Sequence, residues 1–408
     1  MKRIVCTLFC CIGLAEIVWA EDLNLPDPLI ANDGTEITSK EQWMEFRRAE
    51  VLELFRANVF GRRPEGTMNP VAGQYDISSG LQNLQKTIKT TKGVMDGEAN
   101  LNEVRWTYDA LNGVGEMNMV LFTPAGVEKP ESIPCFLLIS HRTEENIDPT
   151  RETKVPFWPA EEIIARGYAT AAFWVGYVDP DDRKDDYQNG IQYLFEDQSK
   201  ERPDDAWAAL AAWAWGASLC MDHLVDDKMI ASDKVAVLGH SRGGKTALWA
   251  GAEDPRFSLV ISNESGNSGA ALSRRSFGES VKRINDVFPN WFNKNYKKYN
   301  DNVENLPIDQ HMLMTLIAPR LLYVASAAGD QWADPEGEFL SAKYARPVYE
   351  LFGHSGLGDA SFPKNDSPIH GDRMAYHIRT GKHNLLEYDW HRFMDFADKH
   401  WADKEHIK

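Results

Sequence analysis

A serine set between glycines is the first residue of this sequence whose type and surroundings could do covalent chemistry. Ser241 lies in the segment GHSRG, residues 239–243, which has the Gly-x-Ser-x-Gly pattern of a nucleophile elbow. An elbow needs a buried strand before the serine and a helix after it, because the sharp turn between them exposes the hydroxyl. The apolar stretch KVAVLGHS precedes the elbow and GGKTALWAGAED follows it. The sequence therefore predicts a strand, a nucleophilic serine and a helix in this order.

A serine hydroxyl is a poor nucleophile unless a histidine accepts its proton and a carboxylate orients that histidine. When such a triad follows an elbow, the chain order is serine, acid, histidine. His383 comes after the strand-like segment MAYHIRT and a Gly-Lys turn, so we predict that it is the base. Glu264 and Asp330 each end an earlier apolar segment, at the strand ends where α/β sheets place their chemistry. Either could be the triad acid, and the second could assist it or contact substrate.

The elements that must position these residues alternate between short apolar strands and helices. IPCFLLIS and YATAAFWVGY are typical of buried strands, and residues 205–227 form a helical segment that is apolar on nearly every side. This alternation predicts a mostly parallel sheet with helices on both faces, an α/β-hydrolase fold. We expect residues 21–408 to form a single catalytic domain, in which residues 21–110 are an N-terminal extension packed on the core.

The first twenty residues have the pattern of a secretory signal. A basic start is followed by an apolar run from Ile4 to Leu14, and short residues precede Glu21. We expect cleavage before Glu21, which gives a secreted or periplasmic protein with no membrane attachment after cleavage. Cys135 and Cys220 then remain, each in an apolar segment, and we expect buried thiols instead of a disulfide.

Charge and composition exclude several classes of partner. The chain has 408 residues and a formal net charge of −17, which argues against nucleic acid and anionic membranes. No cysteine and histidine cluster has zinc-ligand spacing, so we predict no metal and no cofactor. We expect a monomer.

Several motifs together carry a resemblance to a known family. In chain order they are GHSRGGK, ISNESG, SRRSFGES, DQHML, APRLLYVAS, DQWADP and the late GKH. These resemble bacterial members of carbohydrate esterase family fifteen, the glucuronoyl esterases, from about Gly115 to Trp401 and most densely from Lys234 onward. The resemblance implies hydrolysis of the ester between 4-O-methyl-glucuronic acid on glucuronoxylan and lignin alcohols. The partner would be that lignin–carbohydrate ester.

The resemblance also implies a role for individual residues. Ser241 matches the nucleophile and His383 the base, while Glu264 matches the more widespread acid position and Asp330 an alternative acid position of bacterial members. Arg242 matches an arginine that helps the oxyanion hole. Lys245, Glu279 and Trp332 match residues that contact the glucuronoyl sugar. Gln310 and His311 line the pocket or support it.

Two other functions stay open at this point. An acetyl-xylan esterase or other carbohydrate esterase would need only a small acyl pocket, whereas a bulky uronate needs polar groups around the serine. A catalytically inactive carbohydrate-binding protein would not need serine, acid and histidine in triad order.

Overall fold

The computed structural model describes residues 23–64, 69–71, 74–76, 80–184 and 187–402. The predicted signal peptide, residues 1–20, lies outside these ranges. Cys135 and Cys220 are buried free thiols, as predicted. In the described part of the chain, no helix has the length and apolar character needed to cross a membrane.

The described strands are β1 (Asn69–Val71), β2 (Gln74–Asp76), β3 (Gln82–Val94), β4 (Ala99–Ala110), β5 (Gly113–Pro124), β6 (Ile133–Ser140), β7 (Ala169–Trp174), β8 (Ile230–His240), β9 (Leu259–Asn263), β10 (Leu321–Ala327), β11 (Ile369–His370) and β12 (Met374–Arg379). The α-helices are α1 (Lys40–Gln42), α2 (Arg48–Phe55), α3 (Ala160–Ala165), α4 (Ile191–Phe195), α5 (Ala209–Asp226), α6 (Arg242–Glu253), α7 (Val281–Val287), α8 (Gln310–Thr315), α9 (Pro335–Tyr344), α10 (Arg346–Leu351) and α11 (Glu387–Trp401). A π-helical segment, Trp43–Arg47, joins α1 to α2, and a second one, Arg56–Phe60, follows α2. Together they form one helical run that ends at Gly61.

A ten-stranded sheet organises the molecule, in the order β11-β12-β10-β9-β8-β6-β7-β5-β4-β3. The strands from β12 to β7 in this order are parallel, whereas β5, β4, β3 and β11 pair antiparallel. The predicted α/β-hydrolase fold with a mostly parallel central sheet is confirmed.

Helices cover both faces of this sheet because the central strands are apolar on both sides. In β6, Leu137 and Ile139 belong to one buried cluster while Phe136 and Leu138 belong to the other. The first cluster includes α5 and α6, and the second includes α3 and α11. Successive strand side chains point to opposite faces, so a continuous apolar run buries both. Every residue of α5 from Ala209 to Leu224 is buried, which explains its missing polar face.

The segment before β5 takes two different positions in the fold. The helical run before Gly61 packs against α6, where the Phe60 ring stacks on Trp249 with centroids 4.3 Å apart. Arg56 adds an ion pair to Glu253 at 3.1 Å. β3 and β4, in contrast, are strands of the main sheet. Residues 82–110 therefore extend the central sheet itself.

The close approach at Gly239 gives a stability prediction. A Cβ at this position would lie 1.9 Å from the carbonyl oxygen of Gly243, so Gly239→Ala must push the strand away from the helix that follows it. Because the nearest atoms, in Gly243 and Gly244, are all backbone atoms, the clash cannot be relieved by moving a side chain. We therefore expect a loss of about 3 kcal/mol or more in the free energy of unfolding, measured by urea titration.

Gly34→Ala is the matched control. Gly34 has a φ of 88°, but no atom lies within 4 Å of the added Cβ, so its cost is limited to backbone strain of about 1–2 kcal/mol. Equal losses in the two variants would contradict the crowding argument.

Candidate active site

The nucleophile elbow has the predicted local structure. β8 ends at His240, α6 begins at Arg242, and Ser241 between them has φ 54° and ψ −125°. A non-glycine residue rarely adopts this conformation, and such strain persists only where neighbouring contacts enforce it. The Ser241 amide donates to the Asn263 carbonyl at 2.8 Å, and the Ser241 carbonyl accepts from Gly244 N at 2.8 Å. The elbow is thus fixed to the neighbouring strand on one side and to the helix on the other.

The predicted base and both predicted acids meet at one point. His383 Nδ1 lies 2.5 Å from Asp330 Oδ2 and 3.3 Å from Glu264 Oε2. Glu264 directly follows β9, Asp330 comes three residues after β10, and His383 comes four residues after β12. These three strands are parallel neighbours, so their carboxyl ends share one edge of the sheet. Three residues that are distant in sequence therefore converge.

The base also lies beside the elbow. The rings of His240 and His383 have centroids 4.4 Å apart, and His240 directly precedes Ser241. His240 is held by a 2.6 Å hydrogen bond between its Nδ1 and Asn263 Oδ1. His383 keeps 43% of its side chain exposed, whereas Glu264 is fully buried beneath it. This arrangement leaves the outer side of the imidazole open toward substrate.

The two acids have different surroundings. Asp330 makes the shorter contact with His383, whereas Glu264 is shared with the rest of the buried edge. Glu264 Oε1 accepts from Arg379 Nη2 at 2.6 Å, and Glu264 Oε2 accepts from Asn384 N at 3.2 Å. Arg379 in turn binds Asp389 through Nε, at 3.0 Å to each carboxylate oxygen. Glu264 therefore links the base to a buried ion network, while Asp330 is the more direct partner.

Burial and charge act in opposite directions on these groups. Burial by itself would lower the pKa of His383, but the hydrogen bonds to Asp330 and Glu264 outweigh it and raise this pKa to about 9. Burial raises the pKa of Glu264 to about 7, against the lowering effects of His383 and Arg379. The imidazolium form of His383 is thus strongly stabilised, as a base needs once it has taken a proton.

The same three residues are a group that could hold a metal ion. The ligand atoms of Glu264, Asp330 and His383 lie within 4.8 Å of one another. The 2.5 Å contact between His383 and Asp330 is instead the direct hydrogen bond of a histidine–carboxylate pair. The arrangement fits proton chemistry without an ion, and the expectation of no metal stays a prediction.

The guanidinium of Arg242 is positioned by a loop that sequence reasoning did not single out. It forms an ion pair with Asp181 and lies over two aromatic rings, 4.7 Å from the Trp291 centroid and 5.0 Å from that of Phe288. Asp181 also accepts from Trp291 Nε1 at 2.8 Å. The carboxylate therefore fixes both the arginine and the ring beneath it. The backbone N–H of Arg242 lies at the start of α6, where the helix dipole favours negative charge.

The predicted sugar-contacting residues divide into a buried pair and an exposed ring. Lys245 is 2% exposed, and its Nζ donates to the carbonyls of Ser265 and Asn267 and, at 2.9 Å, to Glu279 Oε2. An ammonium has three donors, so these acceptors occupy all of them. The structure thus gives Lys245 a role in holding the loop behind the elbow. Trp332 is 54% exposed and its carbonyl accepts from Glu279 N at 2.9 Å, so the ring is open to solvent.

Gln310 and His311 support the fold. Gln310 Nε2 donates to the Gly269 carbonyl at 2.8 Å, and His311 Nε2 lies 2.9 Å from the Pro26 carbonyl. Both side chains are buried. The structure uses them to fix the loop after β9 and the N-terminal segment.

Sequence reasoning missed Asp181 and Arg379. Arg379 did leave a signal, because it is a charged residue at the carboxyl end of an apolar strand, four residues before His383. Asp181 left none, since it lies in the acidic run DPDDRKDD, whose carboxylates cannot be told apart by position.

The elbow, the histidine held by carboxylates and the parallel sheet define a serine hydrolase of the α/β-hydrolase class. A family model of the fungal glucuronyl esterases matches residues 159–353. A carbohydrate esterase from an unknown prokaryotic organism is 38% identical, over 92% of this chain and 89% of its own length. A 4-O-methyl-glucuronoyl methylesterase of Schizophyllum commune is 27% identical, over 81% of this chain and 74% of its own length.

Solved structures agree with these relatives. The glucuronoyl esterase from Solibacter usitatus is 38% identical and superposes with a TM-score of 0.83, over 93% of this chain and 98% of its own. A family-fifteen glucuronoyl esterase from Teredinibacter turnerae is 28% identical with a TM-score of 0.79, over 93% of this chain and 90% of its own. The chain belongs to carbohydrate esterase family fifteen, the glucuronoyl esterases, and is a carboxylic ester hydrolase.

The two carboxylates at His383 give a prediction about the triad acid. We expect Asp330→Asn to lower kcat by about 10²- to 10³-fold, less than loss of a sole triad acid, because Glu264 still offsets the imidazolium charge. Glu264→Gln should lower kcat less, although it also removes one of the two carboxylate partners of buried Arg379 and should lower the unfolding temperature. The double variant should fall below either single variant. The measurement is a double-mutant cycle on kcat with a glucuronate ester.

Asp359→Asn is a matched control for this cycle, because Asp359 is an exposed carboxylate whose ion-pair partner is Arg346 and not His383. It should leave kcat unchanged. If Asp330→Asn has wild-type kcat while Glu264→Gln equals the double variant, then Glu264 is the sole acid.

The ion pair between Asp181 and Arg242 gives a second prediction. Asp181→Asn removes the charge but keeps an acceptor for Trp291, so we expect kcat to fall about tenfold with little change in KM. Arg242→Ala should cost about 10²-fold in kcat, as for other groups aimed at a developing oxyanion. If Asp181 acts through Arg242, adding Asp181→Asn to Arg242→Ala should cause no further loss.

Asp182→Asn alters the neighbouring carboxylate, which is exposed and accepts from the Lys184 amide at 3.0 Å, and it should match wild type. Additive losses in the double variant would show that Asp181 acts independently of Arg242.

Proposed function

We propose that this chain is an exported serine esterase that hydrolyses the ester between 4-O-methyl-glucuronic acid of glucuronoxylan and lignin alcohols through an acyl-enzyme. One observation carries the proposal: a strained Ser241 beside a histidine held by two carboxylates, in a chain of the glucuronoyl esterase family. Membership of the family supports a glucuronoyl acyl group, and the geometry of the site supports cleavage through an acyl-enzyme.

In the first half of the reaction His383 accepts the Ser241 proton as the oxygen attacks the ester carbonyl. The negative charge on the tetrahedral oxygen faces the Arg242 amide at the start of α6, and the guanidinium adds positive charge nearby. His383 then gives its proton to the departing alcohol. Glu264 and Asp330 stabilise the imidazolium while it carries that proton.

In the second half a water molecule attacks the glucuronoyl-serine ester. His383 accepts a proton from that water and returns it to Ser241 as the acyl–oxygen bond breaks. The products are a free glucuronic acid on the polysaccharide and a regenerated enzyme. The same oxyanion contacts act in both halves.

The residues matched to sugar contacts contribute in different ways. Trp332 presents an exposed aromatic face next to Asp330, and sugar rings stack on such faces. Lys245 and Glu279 form a largely buried ion pair. The backbone amide of Glu279 donates to the Trp332 carbonyl, so this ion pair also helps to fix the segment that carries Trp332. We propose that Trp332 contacts substrate directly and that Lys245 keeps the wall of the pocket in place.

The protein is proposed to act outside the cytoplasm as a monomer. The secretory pattern of residues 1–20 and a substrate in the plant cell wall support this location. The net charge of −17 keeps the protein away from nucleic acid and anionic membranes.

A second candidate function is a broader esterase. A 38%-identical solved structure from a marine bacterial metagenome, with a TM-score of 0.81, is described as a promiscuous family-fifteen esterase. A site with this tolerance would also cleave acetyl esters, including those of acetylated xylan.

The test is a comparison of kcat/KM for benzyl glucuronate, methyl glucuronate, p-nitrophenyl acetate and acetylated xylan. We expect the glucuronate esters to exceed the acetyl esters by tenfold or more, which corresponds to about 1.4 kcal/mol of differential transition-state binding. Ser241→Ala is the control and should lose about 10⁴-fold or more of kcat on every substrate while staying folded.

Comparable values for acetyl and glucuronate esters would favour the broad esterase. Full activity of a folded Ser241→Ala variant would reject the acyl-enzyme mechanism.

A further inference from the structure

A large basic cavity is lined in part by Asn290, which contacts Asp181, the ion-pair partner of Arg242. Its volume is about 1010 Å³, at the upper end of the range of about 300–1,000 Å³ typical of ligand pockets. Among the described residues that line it, eight are arginine or lysine and four are aspartate or glutamate. The whole chain has 61 acidic and 44 basic residues, so the described lining reverses the overall charge balance.

Part of that positive charge is not used by the fold. Most of the lining cations are committed to carboxylates; Arg62, for example, pairs with Glu53 and Asp205. Within the described residues, Arg183, Lys184 and Lys297 line the cavity without a carboxylate partner. All three side chains are exposed. Unpaired cations concentrated at one concave surface favour an anionic ligand.

One residue that lines the cavity, Arg183, lies over the same aromatic ring as Arg242. The Arg183 guanidinium lies 4.2 Å from the centroid of Phe288, and the Arg242 guanidinium lies 5.0 Å from the same centroid. Asn290 lines the cavity and directs its Nδ2 to Asp181 Oδ1 at 3.4 Å. A polymer held in the cavity would therefore lie next to the predicted ester site.

We propose that this cavity binds free carboxylate groups of an acidic oligosaccharide, in particular an unesterified uronic acid on the same polysaccharide chain as the ester. The inference rests on the proposed function, because hydrolysis of each ester creates one such carboxylate. Guanidinium and ammonium groups form charge-assisted hydrogen bonds with a sugar carboxylate. The uronic acids of the polysaccharide are widely spaced, so one carboxylate can bind in the cavity without bringing further negative charge close to the acidic remainder of the protein. A nucleic acid carries a dense charge that the acidic remainder of the protein would repel.

A second contact of this kind would act by tethering. When one uronic acid is held in the cavity, an ester elsewhere on the same chain reaches the serine at a raised effective concentration. Tethering would therefore lower KM for the polymeric substrate. A small ester such as benzyl glucuronate cannot reach both places and would gain nothing.

The binding experiment uses the full chain with Ser241→Ala, so that no ester is consumed. Calorimetry compares a xylo-oligosaccharide carrying one free 4-O-methyl-glucuronate with the same oligosaccharide after reduction of that carboxyl to an alcohol. We expect the acid to bind at least tenfold more tightly. R183Q combined with K297Q should remove most of that difference, in line with the loss of charge-assisted hydrogen bonds.

K298Q is the matched control. Lys298 is exposed, neighbours Lys297 and donates to Asn295 Oδ1 at 2.6 Å, but it does not line the cavity. It removes one positive charge from the segment that K297Q alters and should leave binding unchanged. An equal loss in K298Q and in the double variant would show a nonspecific charge effect and overturn the proposal.

Kinetics separate this inference from the proposed function. With Ser241 intact, R183Q/K297Q should raise KM for glucuronoxylan esters about tenfold and leave kcat/KM for benzyl glucuronate within twofold of wild type. If the acid and the reduced oligosaccharide bind equally, or if the double variant binds the acid like its parent, the cavity is not a carboxylate site even when esterase activity is present. If the wild-type protein has no glucuronate esterase activity, the proposed function is rejected instead.

Discussion

The parallel register of β8, β9, β10 and β12 is the constraint on which the site depends. Ser241, Glu264, Asp330 and His383 each follow one of these strands, and the hydrogen-bonded order of the strands brings them to a common edge. The 2.5 Å contact between His383 and Asp330 joins residues that are separated by 53 positions in the chain. A shift of one strand by a residue would turn its side chains to the other face and move the end of the strand away from the base. The two apolar clusters that cover the sheet therefore also fix the catalytic geometry.

Buried charge beneath the histidine adds a second constraint. Glu264, Arg379 and Asp389 form a continuous network in which each charged group has an opposite partner, and His377 Nε2 lies 2.9 Å from Asp389 Oδ1. Removing Arg379, which both buried carboxylates share, would break two buried ion pairs, and breaking one such pair typically costs about 3–5 kcal/mol. Glu264 can therefore serve the base and the fold together. Asp330, which is less buried and has no arginine partner among the residues that the structure describes, is freer to respond to the charge on His383.

Glu338 shows how the loop after the acid is held. Its Oε1 accepts from the Gly266 amide at 2.9 Å and its Oε2 accepts from the Ser326 hydroxyl at 2.5 Å, in a fully buried position. Burial raises the pKa of Glu338 to about 8, against the hydrogen bonds that lower it. Lys245 holds the same loop from the other side through the Ser265 and Asn267 carbonyls. The two residues come from different helices, and both fix backbone near Glu264.

The sequence by itself determined the fold class and the elbow and singled out His383 as the candidate base, because each leaves a local signature. Apolar strands followed by helices predict the sheet, and the small residues around Ser241 predict the elbow. The chain order of serine, acid and histidine makes His383 the candidate base. Tertiary structure alone decided which acid lies nearer the base, that Lys245 is saturated by protein acceptors, and that Asp181 holds Arg242. These outcomes depend on distances of a few tenths of an ångström and on burial, which are set by packing between segments far apart in the chain. Residue type and spacing place a side chain at a strand end, but only the packed strands and loops determine which partner it meets.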